Sequence, residues 1–162
     1  MLGLSSSTMA QQKDITIKLI ETSDVHGSFF PYDFITRKSK SGSMARVYTL
    51  VEELRKKDGK DNIYLMDNGD ILQGQPISYY YNYVVPEKTN IAASVLNYMD
   101  YDVATVGNHD IETGHKVYDK WFKELKFPIL AANIIDTKTK KTYILPYYTI
   151  KKKNGIKVSV IG

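Results

Sequence analysis

The chain contains no cysteine, which removes disulfides, thiolate nucleophiles and Cys-ligated zinc without identifying a compartment. Long hydrophobic runs are missing too: no stretch approaches the ~18 apolar residues that a membrane-spanning helix needs. Histidine is scarce. His26, His109 and His115 are its three occurrences, so any imidazole chemistry has to come from these positions. Charge of one sign is also in short supply: the formal +4 is small and its lysines are scattered. Lys151-Lys152-Lys153 is the dense basic run, and without interleaved aromatics it reads as a solvated hairpin tip instead of a nucleic-acid surface. No nucleic-acid polymer is therefore expected as a partner. Internal repeats at a period of roughly 20–50 residues are absent as well, and no low-complexity segment occurs beyond the N-terminal serines.

What is present is 162 residues, enough for one domain. A hydrophobic content of 43% suffices for a packed core. Thr8-Met9-Ala10 before Gln11 resembles the small-x-small cleavage site of an export signal, although no positive charge precedes the apolar stretch. Residues 1–12 are read as a signal-peptide remnant or disordered tail, and the protein as periplasmic or otherwise exported. The fold is assigned to residues 13–162.

Residues 15–20 alternate and then turn continuously apolar, which predicts a first strand. Periodicity is lost over residues 27–43, a long loop. Met44, Val47, Leu50, Val51 and Leu54 recur at helical spacing, and Gly59 marks the stop. Ile63-Tyr64-Leu65-Met66 is a second, buried strand. Tyr79, Tyr80, Tyr81 and Tyr83 read as packing at an amphipathic surface, with a base-stacking platform as the alternative. Thr89 caps a helix through Met99, and residues 102–106 form a third strand. A helix over 113–125, with His115 facing solvent near its start, leads to a fourth strand over 127–135. Residues 144–150 and 156–161 pair as a hairpin across a tight Asn154-Gly155 turn. Strands alternating with helices predict a parallel sheet, whose ligands collect at the carboxyl ends of the strands. The chain stops in the apolar run Val160-Ile161-Gly162, which reads as a fragment of a longer domain.

Three of those strand ends carry polar motifs: Ser23-Asp24-Val25-His26-Gly27, Asn68-Gly69-Asp70 and Thr105-Val106-Gly107-Asn108-His109-Asp110. In extended backbone, residues two apart share a face, so Asp24 and His26 can aim at one point. Asp24, His26, Asp70 and Asn108 offer a mixture of oxygen and nitrogen suited to borderline divalent ions such as Zn, Mn, Fe or Co. A centrally placed Asp70 can bridge two ions. Two such ions, set against Asp24, Asp70 and one hydroxide, leave a net positive site, which points to a phosphate ester as substrate. Paired ions acidify water and clamp both oxygens of an in-line displacement. His109 would protonate the leaving oxygen or stabilise phosphoryl charge, oriented by Asp110 or Glu112. Each motif alone is explained as a turn or a helix cap; the metal reading rests on all three, in order, after strands.

The set resembles the N-terminal part of the calcineurin-like metallophosphoesterases, whose pattern runs Asp-x-His, Gly-Asp, Gly-Asn-His-Asp/Glu, a lone His, then Gly-His-x-His. Gln73-Gly74 after Asp70, and the run from Val106 to Glu112, resemble the exported 5′-nucleotidase and 2′,3′-cyclic-nucleotide phosphodiesterase branch. The resemblance implies a four-layer α/β/β/α sandwich and hydrolysis of nucleotide phosphoesters by a two-metal-activated hydroxide. It implies Asp24 and His26 as ligands of one ion, Asp70 as the bridge, and Asn108 as a ligand of the second ion that also reaches the phosphate. It further implies a catalytic, phosphate-contacting His109, with Glu112 favoured over Asp110 as its acid. No histidine follows His115, so the later histidine motifs and the branch's nucleotide-binding domain are absent from these 162 residues. The sandwich is accordingly expected to be C-terminally incomplete, and the chain to bind metal weakly and turn over slowly or not at all. Two rivals keep parts of this reading: a thiosulfate-ester hydrolase of the same architecture, and a non-catalytic binding module.

Overall fold

The apolar run Ile63-Tyr64-Leu65-Met66 has no polar side to offer water, and the fold is arranged to cover it on both faces. The computed structural model describes residues 14–162; the leader read over residues 1–12 lies outside the described residues. In chain order, β1 (Lys18–Thr22) precedes a small antiparallel pair, β2 (Tyr32–Asp33) and β3 (Lys38–Ser39). Helix α1 (Met44–Asp58) leads to β4 (Ile63–Asp67), then to α2 (Pro76–Tyr79), which runs on as a π-helical turn over Tyr80–Val84. After α3 (Ile91–Tyr98) come β5 (Val103–Thr105), α4 (Asn108–Glu112) and α5 (His115–Glu124). The chain closes with β6 (Ile129–Leu130) and the hairpin β7 (Tyr147–Lys151) and β8 (Lys157–Ile161).

Strands β1, β4, β5 and β6 form one parallel sheet in that spatial order. Each new strand adds to the same edge. Right-handed crossovers then place every connecting helix on one face, where Leu65 and Ala104 share a core with Val51, Leu96 and Trp121. On the opposite face Tyr64, Val103 and Leu130 pack with Ile150 of β7 and with Val158 and Val160 of β8. Among the described residues the α/β sandwich thus has three layers: helices, parallel sheet, and the hairpin that begins a second sheet. No helix among them is long and apolar enough to cross a membrane.

Several local expectations are corrected. The long loop contains β2 and β3, because Asp33 Oδ1 accepts from the N–H groups of Ile35 (2.8 Å) and Thr36 (3.2 Å) and so closes a turn. Asn90, not Thr89, caps α3, its Oδ1 accepting from Ala92 N at 2.9 Å. The helix expected over 113–125 is α5, which starts at His115 after Gly114 with its φ of 85°, and a separate short helix, α4, precedes it where none was expected. The fourth strand shrinks to two residues, with single bridges at Leu130–Leu145 and Ile135–Thr142 beyond it. Nor is Asn154-Gly155 a two-residue turn: Lys151 pairs with Lys157 across a longer loop. The Asn154 side chain instead donates to Asp61 O at 2.7 Å and ties the hairpin to the 3-10 turn (Lys60–Asn62) between α1 and β4. Lys152 leaves the supposed solvated tip as well. Its ammonium lies 2.8 Å from Asp102 Oδ2 and 4.7 Å over the Tyr64 ring, fastening the hairpin to the sheet.

Candidate metal centre

Beyond the ends of β1 and β4 the two segments keep bonding. Asn68 N donates to Thr22 O (2.7 Å), Asp24 N to Gly69 O (3.1 Å) and His26 N to Asp70 O (2.9 Å). This stitching lays the first two motifs side by side. The donor atoms of Asp24, His26 and Asp70 fall within 4.8 Å of one another. They do not converge through the alternation of an extended strand, as the spacing suggested. All three residues adopt the left-handed region, with φ of 53°, 48° and 58°. Such backbone is costly for residues other than glycine and collects at functional sites. Asp24 is exposed and Asp70 buried, so the cluster opens to solvent on one side.

The third motif arrives through a contact between two glycines. A Cβ on Gly69 would lie 2.3 Å from Gly107 N, and one on Gly107 would lie 2.0 Å from Asp70 Oδ1. With no side chain in the way, His109 N–H reaches Asp70 Oδ1 at 2.9 Å. The imidazole of His109 stands with its centroid 5.4 Å from that of His26, the planes at 65°. Its Nδ1 lies 2.8 Å from Glu112 Oε2. That hydrogen bond holds the His109 pKa above its ordinary value; partial burial opposes it, and the negative charges of Glu112, Asp70 and Asp110 add to it.

Asp110 is placed elsewhere than an acid partner for His109. It is fully buried, and its two oxygens accept four backbone N–H groups: Asp70 at 2.8 Å, Ile71 at 2.9 Å, Leu72 at 2.8 Å and Gly107 at 3.0 Å. Burial pushes its carboxyl above the usual value, and the four donors pull the other way. One carboxyl group thereby clamps the second motif to the third. Asn108 opens α4 and is exposed, next to the His109 N–H that bonds Asp70. His115 stays outside the cluster, bonded to Tyr118 and Asp119.

Sequence reasoning passed over Asp67, the buried last residue of β4. Its Oδ1 accepts from Thr22 Oγ1 at 2.6 Å and its Oδ2 from Gly69 N at 3.2 Å, supporting both strand ends from below. Burial pushes its pKa up to about 7, against the pull of those two donors. The available signal was an acid closing an otherwise apolar strand.

The sequence profile of the calcineurin-like phosphoesterases matches residues 17–159. Over 173 aligned positions the chain is 28% identical to a 2′,3′-cyclic-nucleotide 2′-phosphodiesterase/3′-nucleotidase of Yersinia enterocolitica, covering 100% of this chain and 26% of that protein. The crystal structure of calcineurin-like phosphoesterase YfkN from Bacillus subtilis superposes with a TM-score of 0.75 at 29% identity, covering 90% of this chain and 46% of that one. SoxB, a sulfate thiohydrolase of Thermus thermophilus, has a TM-score of 0.71 at 12% identity, covering 94% of this chain and 36% of its own, a likeness of fold alone. The chain thus spans about a quarter of the Yersinia relative's length. Proteins of the matched family use divalent metals, and two carboxylates with one imidazole suit such an ion. With the profile spanning nearly all the described residues and three motif loops meeting at one end of a parallel sheet, the chain belongs to the calcineurin-like phosphoesterase family.

Proposed function

We propose that the complete protein is a metal-dependent phosphoester hydrolase acting on nucleotides, with 5′-nucleotidase or 2′,3′-cyclic-nucleotide phosphodiesterase activity. The observation that carries this reading is the meeting of the Asp24, His26 and Asp70 donors within 4.8 Å, beside an imidazole already paired with an acid. Asp24 and His26 would hold one divalent ion, Asp70 would be shared with a second, and Asn108 would complete that second set while contacting the phosphate. Bound ions of the Zn, Mn, Fe or Co class would supply Lewis acidity toward the phosphoryl group and acidify the attacking water.

The remaining work belongs to the chain's own side chains. Glu112 pairs with His109 Nδ1 and favours the charged form of the ring, which orients the imidazole to deliver a proton to the leaving oxygen. Asp110 does not touch substrate in this scheme; it holds the loops of Asp70 and His109 in register. Export is part of the proposal, on the strength of Thr8-Met9-Ala10.

Assay of the complete gene product with Mn2+ on AMP, 2′,3′-cyclic AMP and a thiosulfate ester tests the reading. Phosphate release from the nucleotides, abolished by EDTA and reduced by at least a hundredfold in His109→Gln, is expected. Turnover of the sulfur ester alone, or of none of the three, contradicts it.

A further inference from the structure

The hairpin of β2 and β3 carries apolar side chains that nothing among the described residues covers. Phe30, Tyr32, Phe34 and Ile35 are 41%, 40%, 53% and 66% exposed, the last two in the turn itself. The rings are ordered: Phe34 meets Phe30 edge to face at 6.2 Å and Tyr32 at 5.1 Å. Phe30 also borders an apolar groove of about 430 Å3 walled by Ala45, Tyr48, Val95 and Tyr98. The apolar face thus continues from the hairpin onto α1 and α3. Single exposed apolar residues are ordinary, whereas a contiguous patch marks an interaction surface.

The protrusion is held firmly at each level. Phe29 and Met44 bury its base in the core. There Met44 N donates to Ser28 O at 2.9 Å and Ala45 N to Phe29 O at 3.0 Å. Lys40 closes the stem, its N–H donating to Pro31 O at 3.1 Å and its ammonium to Ser28 Oγ at 2.8 Å. At the tip the Asp33 carboxylate accepts from Ile35 N and Thr36 N, so the acid of the hairpin is taken up by its own turn.

Charge indicates what such a tip meets. Residues 30–46 carry four basic side chains, Arg37, Lys38, Lys40 and Arg46, against the single acid Asp33, a net +3 of the whole chain's +4. Arg37 and Lys38 are exposed and follow Ile35 within three positions. A protein partner would need a pocket shaped for this convex tip, while a bilayer deforms around it. Aromatic and aliphatic side chains seat in the headgroup boundary, and neighbouring cations are drawn to anionic lipids.

We propose that the β2–β3 hairpin docks on the surface of a bilayer containing anionic lipids, with Phe34 and Ile35 entering the interface and Arg37 and Lys38 paired with lipid phosphates. Docking of this kind requires no membrane-spanning helix, no bound metal and no hydrolysis. Because the hairpin follows directly on the Asp24–His26 motif, it would hold the candidate metal centre near the lipid surface.

Sedimentation of the complete gene product with vesicles tests the proposal. Vesicles of phosphatidylcholine with about 30% phosphatidylglycerol are expected to bind at least tenfold more tightly than phosphatidylcholine alone, and less so as salt is raised. Phe34→Ser with Ile35→Ser, and separately Arg37→Gln with Lys38→Gln, should each weaken binding about tenfold. Far-UV circular dichroism should be unchanged, since all four side chains are exposed. In Phe34→Trp, emission beyond that of the parent protein should shift to the blue and be quenched by brominated acyl chains, a direct report of insertion. Failure of the complete protein to sediment with the anionic vesicles overturns the proposal, and is the result expected if another part of the polypeptide covers the tip. Equal binding to both vesicles, or a tip tryptophan that brominated lipid does not quench, overturns it as well. A dimer in solution that Phe34→Ser with Ile35→Ser abolishes, without vesicle binding, would assign the face to a second copy instead.

Discussion

Replacing Asp110 with asparagine would remove no atom that touches a candidate ligand, yet it should damage the site more than most changes within it. The carboxylate divides its work: Oδ1 accepts from Ile71 N and Leu72 N, and Oδ2 from Asp70 N and Gly107 N. Asparagine keeps one acceptor oxygen and turns the other position into a donor, so two buried N–H groups are left facing an NH2 group. A buried unsatisfied donor costs roughly 1–3 kcal/mol, which places the loss at about 2–6 kcal/mol. Against a typical total stability of roughly 5–15 kcal/mol this is a large share. Urea unfolding followed by circular dichroism measures it. Mn2+ titration of the same variant should show affinity falling at least tenfold, because Asp70 and Gly107 lose their common anchor. Glu112→Gln, an exposed change, serves as the control and should shift stability by no more than about 0.5 kcal/mol. An Asp110→Asn variant as stable as this control, with Mn2+ affinity intact, would refute the clamp.

Three other outcomes are expected. Glu112→Gln should lower the His109 pKa toward the ordinary imidazole value, read from the ring C–H resonances of the metal-free protein; an unmoved titration would contradict the pairing seen at 2.8 Å. Asp67 has a folded pKa of about 7 against an ordinary 3.8, so the folded state holds a proton that the unfolded state has lost between those values. Its contribution to stability is full below about pH 4 and disappears as pH rises to about 7, on the order of 4 kcal/mol in all. Asp67→Asn should flatten that slope in metal-free urea titrations, and an identical slope would contradict the assignment. Gly69→Ala places a Cβ 2.3 Å from Gly107 N on a backbone with φ of 87°. It should cost at least about 2 kcal/mol and weaken Mn2+ binding together with stability; neutrality in urea unfolding would contradict the close approach.

Much of this was legible in the residues because the apolar runs at 63–66 and 102–106 and the helical spacing of Met44 to Leu54 are strong periodic signals. Polar motifs directly after such runs land at the carboxyl edge of a parallel sheet, which is why Asp24, His26 and Asp70 could be grouped before any geometry was known. Backbone conformation at the motifs was not legible. Nothing in Asp24 or His26 announces a left-handed φ, since the turn is imposed by bonds to Gly69 and Asp70 some forty-five residues away. The role of Asp110 was hidden for the same reason: its four partners come from two separate loops, and adjacency to His109 suggested a catalytic partner instead. Lys152 likewise looked like one of three solvated lysines until Asp102 and the Tyr64 ring were brought beneath it.

The most direct test of the central claim is calorimetric titration of Mn2+ into the complete protein and into its Asp70→Ala variant. Asp70 joins the Asp24–His26 pair through its side chain and the His109 loop through the same oxygens. The variant is expected to lose at least tenfold in affinity for the first ion and to show no second binding event. Equal affinity and equal stoichiometry in the two proteins would show that the three motif loops do not build a metal site.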